Sequence, residues 1–323
     1  MKIVVLDSCG LNPEELSWEE VEAFGDLEIY KRTPEDKILE RAEGAEIVLT
    51  NKTPLSRETI NKLDALEYIG VLATGYNVID LKAAAEHGIE VTNVPAYSTD
   101  SVAQFVFALL LEVAHHVGEH NRAVKASEWS SAKDFSFWKY PLIELKNKTM
   151  GIIGYGSIGQ RTAELALAFG MNVIVYDRSP EKKKKDPNIM TDEIEFVEKK
   201  ELYKKADVIS LHCPLTEETK GLINKDSIEL MKDGVIIINT SRGPVIVEED
   251  LATALEEGKV FALGADVLSS EPPKEDNPLL NSDKAVITPH IAWATKEARE
   301  RLMETVVDNI KSYLDGEVKN SVL

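Results

Sequence analysis

Short apolar runs alternate along the chain with longer stretches in which apolar positions recur every three or four residues. A run of four to six apolar residues suits a strand buried on both faces, and the longer spacing suits a helix with one buried face. The runs at 3–6, 27–30, 47–49, 68–72 and 89–92 predict a first set of strands. Those at 150–153, 173–176, 208–211, 235–239, 262–266 and 285–288 predict a second. With helical spacing between them, the rhythm predicts an α/β architecture with mainly parallel sheets. One long helical stretch over 98–124 separates the two sets. Its Val102, Phe105, Val106, Leu109, Leu110 and Val113 cover most of the circumference and predict burial. A polar, aromatic segment over 127–140 follows it, and a last helix is predicted over 295–314, after Pro289. The pattern alone does not say which sheet that last helix joins.

Composition narrows the class. At 323 residues the chain is too long for one ordinary core, so two domains are expected. A net charge of -19 repels nucleic-acid phosphates and anionic membranes, which removes both as expected partners. Two cysteines, Cys9 and Cys213, have neither disulfide-framework nor zinc spacing and fit a reducing compartment. The apolar run after Met1-Lys2 is too short for a signal peptide or a membrane span, so a cytoplasmic location is expected. The run Lys182-Lys183-Lys184-Lys185 reads as a solvated loop.

The loop Gly154-Tyr155-Gly156-Ser157-Ile158-Gly159 lies between a predicted strand and a predicted helix, 158–169, that ends at Gly170. Glycines there allow a tight turn, close approach of backbone to a pyrophosphate, and close packing of helix on strand, while the helix N-terminus favours the phosphate charge. The next strand ends in Asp177, about 20 residues on, where a carboxylate accepts from the adenosine ribose hydroxyls and repels a 2′-phosphate. NAD is therefore the expected cofactor. Arg178, next to it, can pair with a 2′-phosphate and weakens the exclusion of NADP.

Of six histidines, His116 and His120 stand one helical turn apart, but with no third ligand evident they are read as surface residues and no metal is expected. His212 beside Cys213-Pro214 reads as structural or near the cofactor. His290 follows the last predicted strand directly, and ligands of open α/β sheets gather at the carboxyl ends of strands. Two further strand ends carry Thr240-Ser241-Arg242-Gly243 and Leu268-Ser269-Ser270-Glu271. An Arg, a Glu and a His brought together suit ketone reduction. The imidazole donates a proton to the developing alkoxide, the carboxylate fixes its tautomer, and the guanidinium holds a substrate carboxylate. Surface salt bridges account equally well for a lone Arg or Glu.

Across almost its whole length the chain resembles the D-isomer-specific 2-hydroxyacid dehydrogenase family. The matching stretches are Ala73-Thr74-Gly75-Tyr76-Asn77-Val78-Ile79-Asp80, Thr92-Asn93-Val94-Pro95, the glycine loop, His212-Cys213-Pro214-Leu215-Thr216, 239–243, and Pro289-His290-Ile291-Ala292-Trp293. The resemblance implies two Rossmann-like domains, each a doubly wound parallel sheet, with a cleft between them. It places the substrate domain over 1–98 and 292–323 and the NAD domain over 99–291, with 99–147 as a dimerisation helix and arm, and so implies a homodimer. It makes His290 the proton donor, Glu271 its partner, and Arg242 with the Thr74 and Gly75 amides the substrate-binding groups. Cofactor contacts implied are Gly154, Gly156, Ser157, Ile158, Gly159, Asp177, Cys213, Pro214, Thr219 and Thr240, with Asp266 on the nicotinamide carboxamide.

Within the family, the 73–77 and 135–142 segments and His290-Ile291-Ala292-Trp293 look most like glycerate dehydrogenases, also called hydroxypyruvate reductases. Leu72 stands in the stretch where phosphoglycerate dehydrogenases carry a phosphate-binding Arg, so a small unphosphorylated 2-keto acid is expected: hydroxypyruvate, with glyoxylate second. A broad D-2-hydroxyacid or D-lactate dehydrogenase is the alternative. An NAD(H)-sensing corepressor-like binding protein is the alternative of another class.

Overall fold

The computed structural model describes residues 1–11, 16–185 and 193–323. Strands form where the apolar runs lie, shifted by a residue or two. β1 (Lys2–Val5), β2 (Asp26–Ile29), β3 (Ile47–Thr50), β4 (Tyr68–Val71) and β5 (Glu90–Thr92) make a sheet in the order β2-β1-β3-β4-β5. β6 (Thr149–Ile153), β7 (Asn172–Tyr176), β8 (Ile194–Phe196), β9 (Val208–Leu211), β10 (Val235–Asn239), β11 (Val260–Ala265) and β12 (Ala285–Ile287) make a second, in the order β12-β11-β10-β9-β6-β7-β8. Every pairing in both sheets is parallel. Winding reverses between β1 and β3 in the first and between β6 and β9 in the second, the doubly wound pattern whose ligands sit beyond the strand ends at the reversal.

The central strands β3, β4, β9 and β10 are largely apolar because both faces are covered, whereas the edge strands β2 and β8 carry Asp26, Glu28 and Glu195 and are partly exposed. β10 illustrates the covered kind. Ile237 packs with Leu202, Leu211 and Leu251 on one side, and Ile236 and Ile238 pack with Val106, Leu110 and Ile152 on the other. The chain divides into two compact units, 1–98 with 294–323, and 99–293. In the first unit the helix Lys296–Leu314 is capped by Thr295, and its Tyr313 ring lies 4.7 Å from that of Tyr68 on β4.

Three readings change. The stretch over 98–124 is not one helix but two, Thr99–His115 and Val117–Lys125, bent by 56°. The break is His116, held at φ 49. The apolar spacing runs across it, but only the first helix is a core element, and its Phe107 ring stacks on Phe169 at 4.9 Å. His116 and His120 serve the bend. His120 Nε2 accepts from Lys139 N–H at 3.2 Å, which places the ring proton on Nδ1, 2.8 Å from His116 O, while the His116 ring packs on Tyr140. Among the described residues no group of His, Cys, Asp and Glu is arranged to hold a metal. The lysine run is solvated but helical, in Pro180–Lys184, where Pro180 starts the helix and Lys184 pairs with Glu181 at 3.1 Å. β8 has no counterpart among the predicted strands because three residues are too few to show a period. No single helix among the described residues is long and apolar enough to cross a membrane.

Candidate active site

The glycine loop leaves β6 at the reversal point of the second sheet. Gly154 sits at φ 95, and a Cβ there would come within 2.8 Å of Cys213 N and of the His212 carbonyl, so the strand end of β9 lies directly against the turn. Gly156 precedes the helix Ser157–Ala168, and a Cβ on it would meet nothing within 4 Å. Gly159 is buried in the first turn, where a Cβ would overlap the Gly154 carbonyl oxygen. Ser157 and Ile158 are thus presented at the helix N-terminus, with their N–H groups outside the intrahelical ladder.

Asp177 follows β7. Its Oδ2 accepts from Tyr155 N–H at 2.9 Å and its Oδ1 from Ser179 N–H at 2.8 Å, so the acid is fastened to the glycine loop itself. Arg178 points to Glu218 at 3.7 Å, with both side chains largely exposed. After β9, Thr219 closes the turn begun by Cys213 and Pro214. Its Oγ1 donates to Pro214 O at 2.6 Å and accepts from Thr216 N–H at 2.7 Å. Burial pushes the Cys213 thiol up, so it stays protonated near neutrality. After β10, the buried Asn239 shapes the next turn. Its Oδ1 takes Ser241 N–H, and its Nδ2 donates to Arg242 O. Thr240 Oγ1 is buried there with no hydrogen-bond partner among the described residues. An orphan hydroxyl, an open Gly156 and a tight Gly154 turn at one end of one sheet fit a dinucleotide, whose polar atoms would satisfy the hydroxyl.

Arg242 is exposed at the end of this turn, with Nη1 donating to Ser241 O at 2.7 Å. A Cβ on Gly243 would fall on the Leu268 carbonyl, so the Arg242 turn lies backbone to backbone against the segment leaving β11. That segment carries Glu271, whose Oε2 lies 2.6 Å from His290 Nδ1. His290 stands at φ 56, and the residues on either side of it are held by Asp266. The buried Asp266 carboxylate accepts from Thr288 Oγ1 at 2.6 Å, Ile291 N–H at 2.9 Å and Ala292 N–H at 2.8 Å. A carboxylate has about four lone-pair sites, which leaves room for one carboxamide N–H. With Nδ1 on the carboxylate, His290 Nε2 faces away from Glu271 and is the ring nitrogen placed to exchange a proton with a ligand.

His212 is a different kind of histidine. Its Nε2 lies 2.8 Å from Ser210 Oγ, and burial lowers its pKa to about 4, so it is neutral at working pH. Thr74 and Gly75 follow β4 in the first unit. Thr74 Oγ1 donates to Val94 O at 2.8 Å, and Asn93 Nδ2 donates to Thr74 O at 2.7 Å. The catalytic and cofactor-binding residues expected from the sequence all lie in the second unit. Asn239 as the shaper of the Arg242 turn, and Asp266 as the anchor of the His290 loop, were not legible in that role. Each is a polar residue at a strand end, and strand ends are the signal that points to them.

Residues 107–292 match the family model described as D-isomer specific 2-hydroxyacid dehydrogenase, NAD binding domain. The chain is 52% identical over 325 residues to a hydroxypyruvate reductase of Blautia hydrogenotrophica, covering 100% of this chain and 99% of that protein. It is 36% identical over 292 residues to a glycerate dehydrogenase of Methylorubrum extorquens, covering 90% and 89%. Among solved structures, a glyoxylate reductase from Paecilomyes thermophila superposes with a TM-score of 0.84 at 30% identity, covering 100% and 98% of the two chains.

Proposed function

We infer the activity from one premise: the chain belongs to the D-isomer-specific 2-hydroxyacid dehydrogenase family and is an NAD-dependent oxidoreductase acting on a small 2-keto or 2-hydroxy acid. The reaction proposed is hydroxypyruvate + NADH + H⁺ → D-glycerate + NAD⁺, with glyoxylate reduced to glycolate as a second activity. The observation that carries it is the Glu271–His290 pair at 2.6 Å, on a segment laid against the Arg242 turn. The reduced nicotinamide, when bound, supplies the hydride to the keto carbon. His290 gives the Nε2 proton to the carbonyl oxygen as charge develops on it, and takes it back in the reverse direction. Glu271 holds Nδ1 and so keeps Nε2 aimed. Arg242 offers the rest of its fork to the substrate carboxylate, and the Thr74 and Gly75 amides are proposed as substrate-binding donors. The glycine loop, Cys213, Pro214, Thr219, Thr240 and Asp266 hold the dinucleotide, and Asp177 takes the ribose. The substrate is unphosphorylated: Leu72 is fully buried, and the loop over 72–77 has no cation to meet a phosphate.

A panel of hydroxypyruvate, glyoxylate, pyruvate and phosphohydroxypyruvate, each with NADH and NADPH, tests the reading. Hydroxypyruvate with NADH should give the highest kcat/KM, by about ten-fold or more over pyruvate, since a site built around a hydroxyl rejects its absence. A preference for pyruvate or the phosphate ester would remove the substrate assignment. Equal use of NADPH would remove the role of Asp177.

The protein acts as a cytoplasmic homodimer in this reading. Both cysteines are free thiols, in keeping with a reducing setting. The bent helix and the arm after it expose Val117, Trp129, Phe135, Trp138 and Leu142, with Phe135 92% accessible. So many large apolar groups on one segment suit a surface covered by a second copy. Sedimentation should give twice the chain mass, and Phe135→Asp combined with Trp138→Asp should shift it to the single-chain value. A parent protein that sediments as one chain at micromolar concentration would sink the dimer.

A further inference from the structure

Glu248 opens the helix Glu248–Glu257, where a carboxylate is favoured by the helix N-terminus. That accounts for an acid at the helix start but not for its burial or its partners. Only 7% of Glu248 is exposed, and its oxygens accept three hydrogen bonds. Ser269 N–H donates to Oε1 at 2.8 Å, Ser269 Oγ to Oε2 at 2.5 Å, and Asn277 Nδ2 to Oε2 at 2.8 Å. The helix reaches none of these donors by itself. They belong to the two ends of the segment over 268–277 that leaves β11, and Glu271 lies between them. Asn277 is in turn fixed by Leu279 N–H donating to its Oδ1 at 3.0 Å. The same segment presses its Leu268 carbonyl on Gly243, next to Arg242.

We propose that Glu248 is a positioning residue for the reaction: its buried carboxylate clamps the 268–277 segment and thereby sets Glu271 against His290. The inference rests on the reading of Glu271 and His290 as the acid–base pair. The three hydrogen bonds that Glu248 accepts come from Ser269 and Asn277, not from Glu271 or His290. Its effect on turnover therefore runs through Glu271. A misplacement near 1 Å at a reacting pair is enough to lower turnover by about 100-fold, and three charge-assisted hydrogen bonds hold the segment within that tolerance.

The test is a kinetic cycle on the full chain with hydroxypyruvate and NADH, using Glu248→Gln, Glu271→Gln and the double variant. Gln keeps the volume of Glu248 but turns one acceptor into a donor facing the donors of Ser269 or Asn277. Glu248→Gln should lower kcat about ten-fold or more while the KM for NADH stays within about two-fold. In the Glu271→Gln background the same change should lower kcat by less than about two-fold, because residues acting through one another are not additive. If Glu248→Gln does not fold, Ser269→Ala, which removes one of the three donors, should lower kcat about three-fold, and this effect too should vanish beside Glu271→Gln. An unchanged kcat in the clamp variant, or losses that multiply in the double variant, overturns the proposal while the acid–base pair stands. An unchanged kcat in Glu271→Gln alone overturns the pair and the proposal with it.

Discussion

His290→Ala should lower kcat for hydroxypyruvate reduction by about 1,000- to 10,000-fold, at the upper end of what a positioned general acid contributes, while NADH binds within about two-fold of the parent. The loss should fall on chemistry because the imidazole is not what holds its loop. Asp266 grips Thr288 Oγ1 and the Ile291 and Ala292 amides, and Trp293 Nε1 donates to the His290 carbonyl at 2.9 Å, none of which needs the ring. Removing the ring therefore deletes the proposed proton donor and one partner of the Glu271 carboxylate. The nearest histidine by role, His212, cannot substitute, since burial keeps it neutral. Steady-state turnover paired with a titration of NADH fluorescence separates the two quantities. A parental kcat would take His290 out of the mechanism, and a kcat loss matched by lost NADH binding would make it a structural residue.

The legible part of this protein is the part that repeats. Parallel strands buried on both faces write themselves as apolar runs, so all strands but the short edge strand β8 could be placed from the sequence. The glycine loop and Asp177 were legible because backbone approach to a pyrophosphate admits few residue types. Arg242, Glu271 and His290 were legible as unusual side chains at strand ends, though physics alone did not bring them together. Illegible features depended on tertiary partners. A single left-handed residue, His116, splits a helix whose apolar spacing runs on unbroken. Asp266 and Glu248 look in sequence like any acids near a turn or a helix start. Their burial follows from donors that arrive from remote segments, Asn277 in one case and the loop after β12 in the other.

Two glycines of one loop should fail in different ways when given a methyl group. At Gly156 the added Cβ meets no protein atom within 4 Å, and the backbone is extended at φ -80 and ψ -170, which alanine adopts freely. Gly156→Ala should therefore melt with the parent, yet bind NADH about 30-fold or more weakly, because the methyl occupies the space through which backbone N–H groups approach the pyrophosphate. At Gly159 the methyl overlaps the Gly154 carbonyl, a backbone group that cannot swing aside as a side chain does. The helix Ser157–Ala168 must move off β6, or the turn must open and lose the Gly154 contact with the His212–Cys213 backbone. Overpacking of this kind costs about 1–3 kcal/mol, so Gly159→Ala should lose both thermal stability and NADH affinity. The contrast is the informative measurement. Cofactor affinity that survives in Gly156→Ala would mean the dinucleotide does not cross this loop. Unaltered stability in Gly159→Ala would mean the helix and strand are less closely seated than their geometry requires.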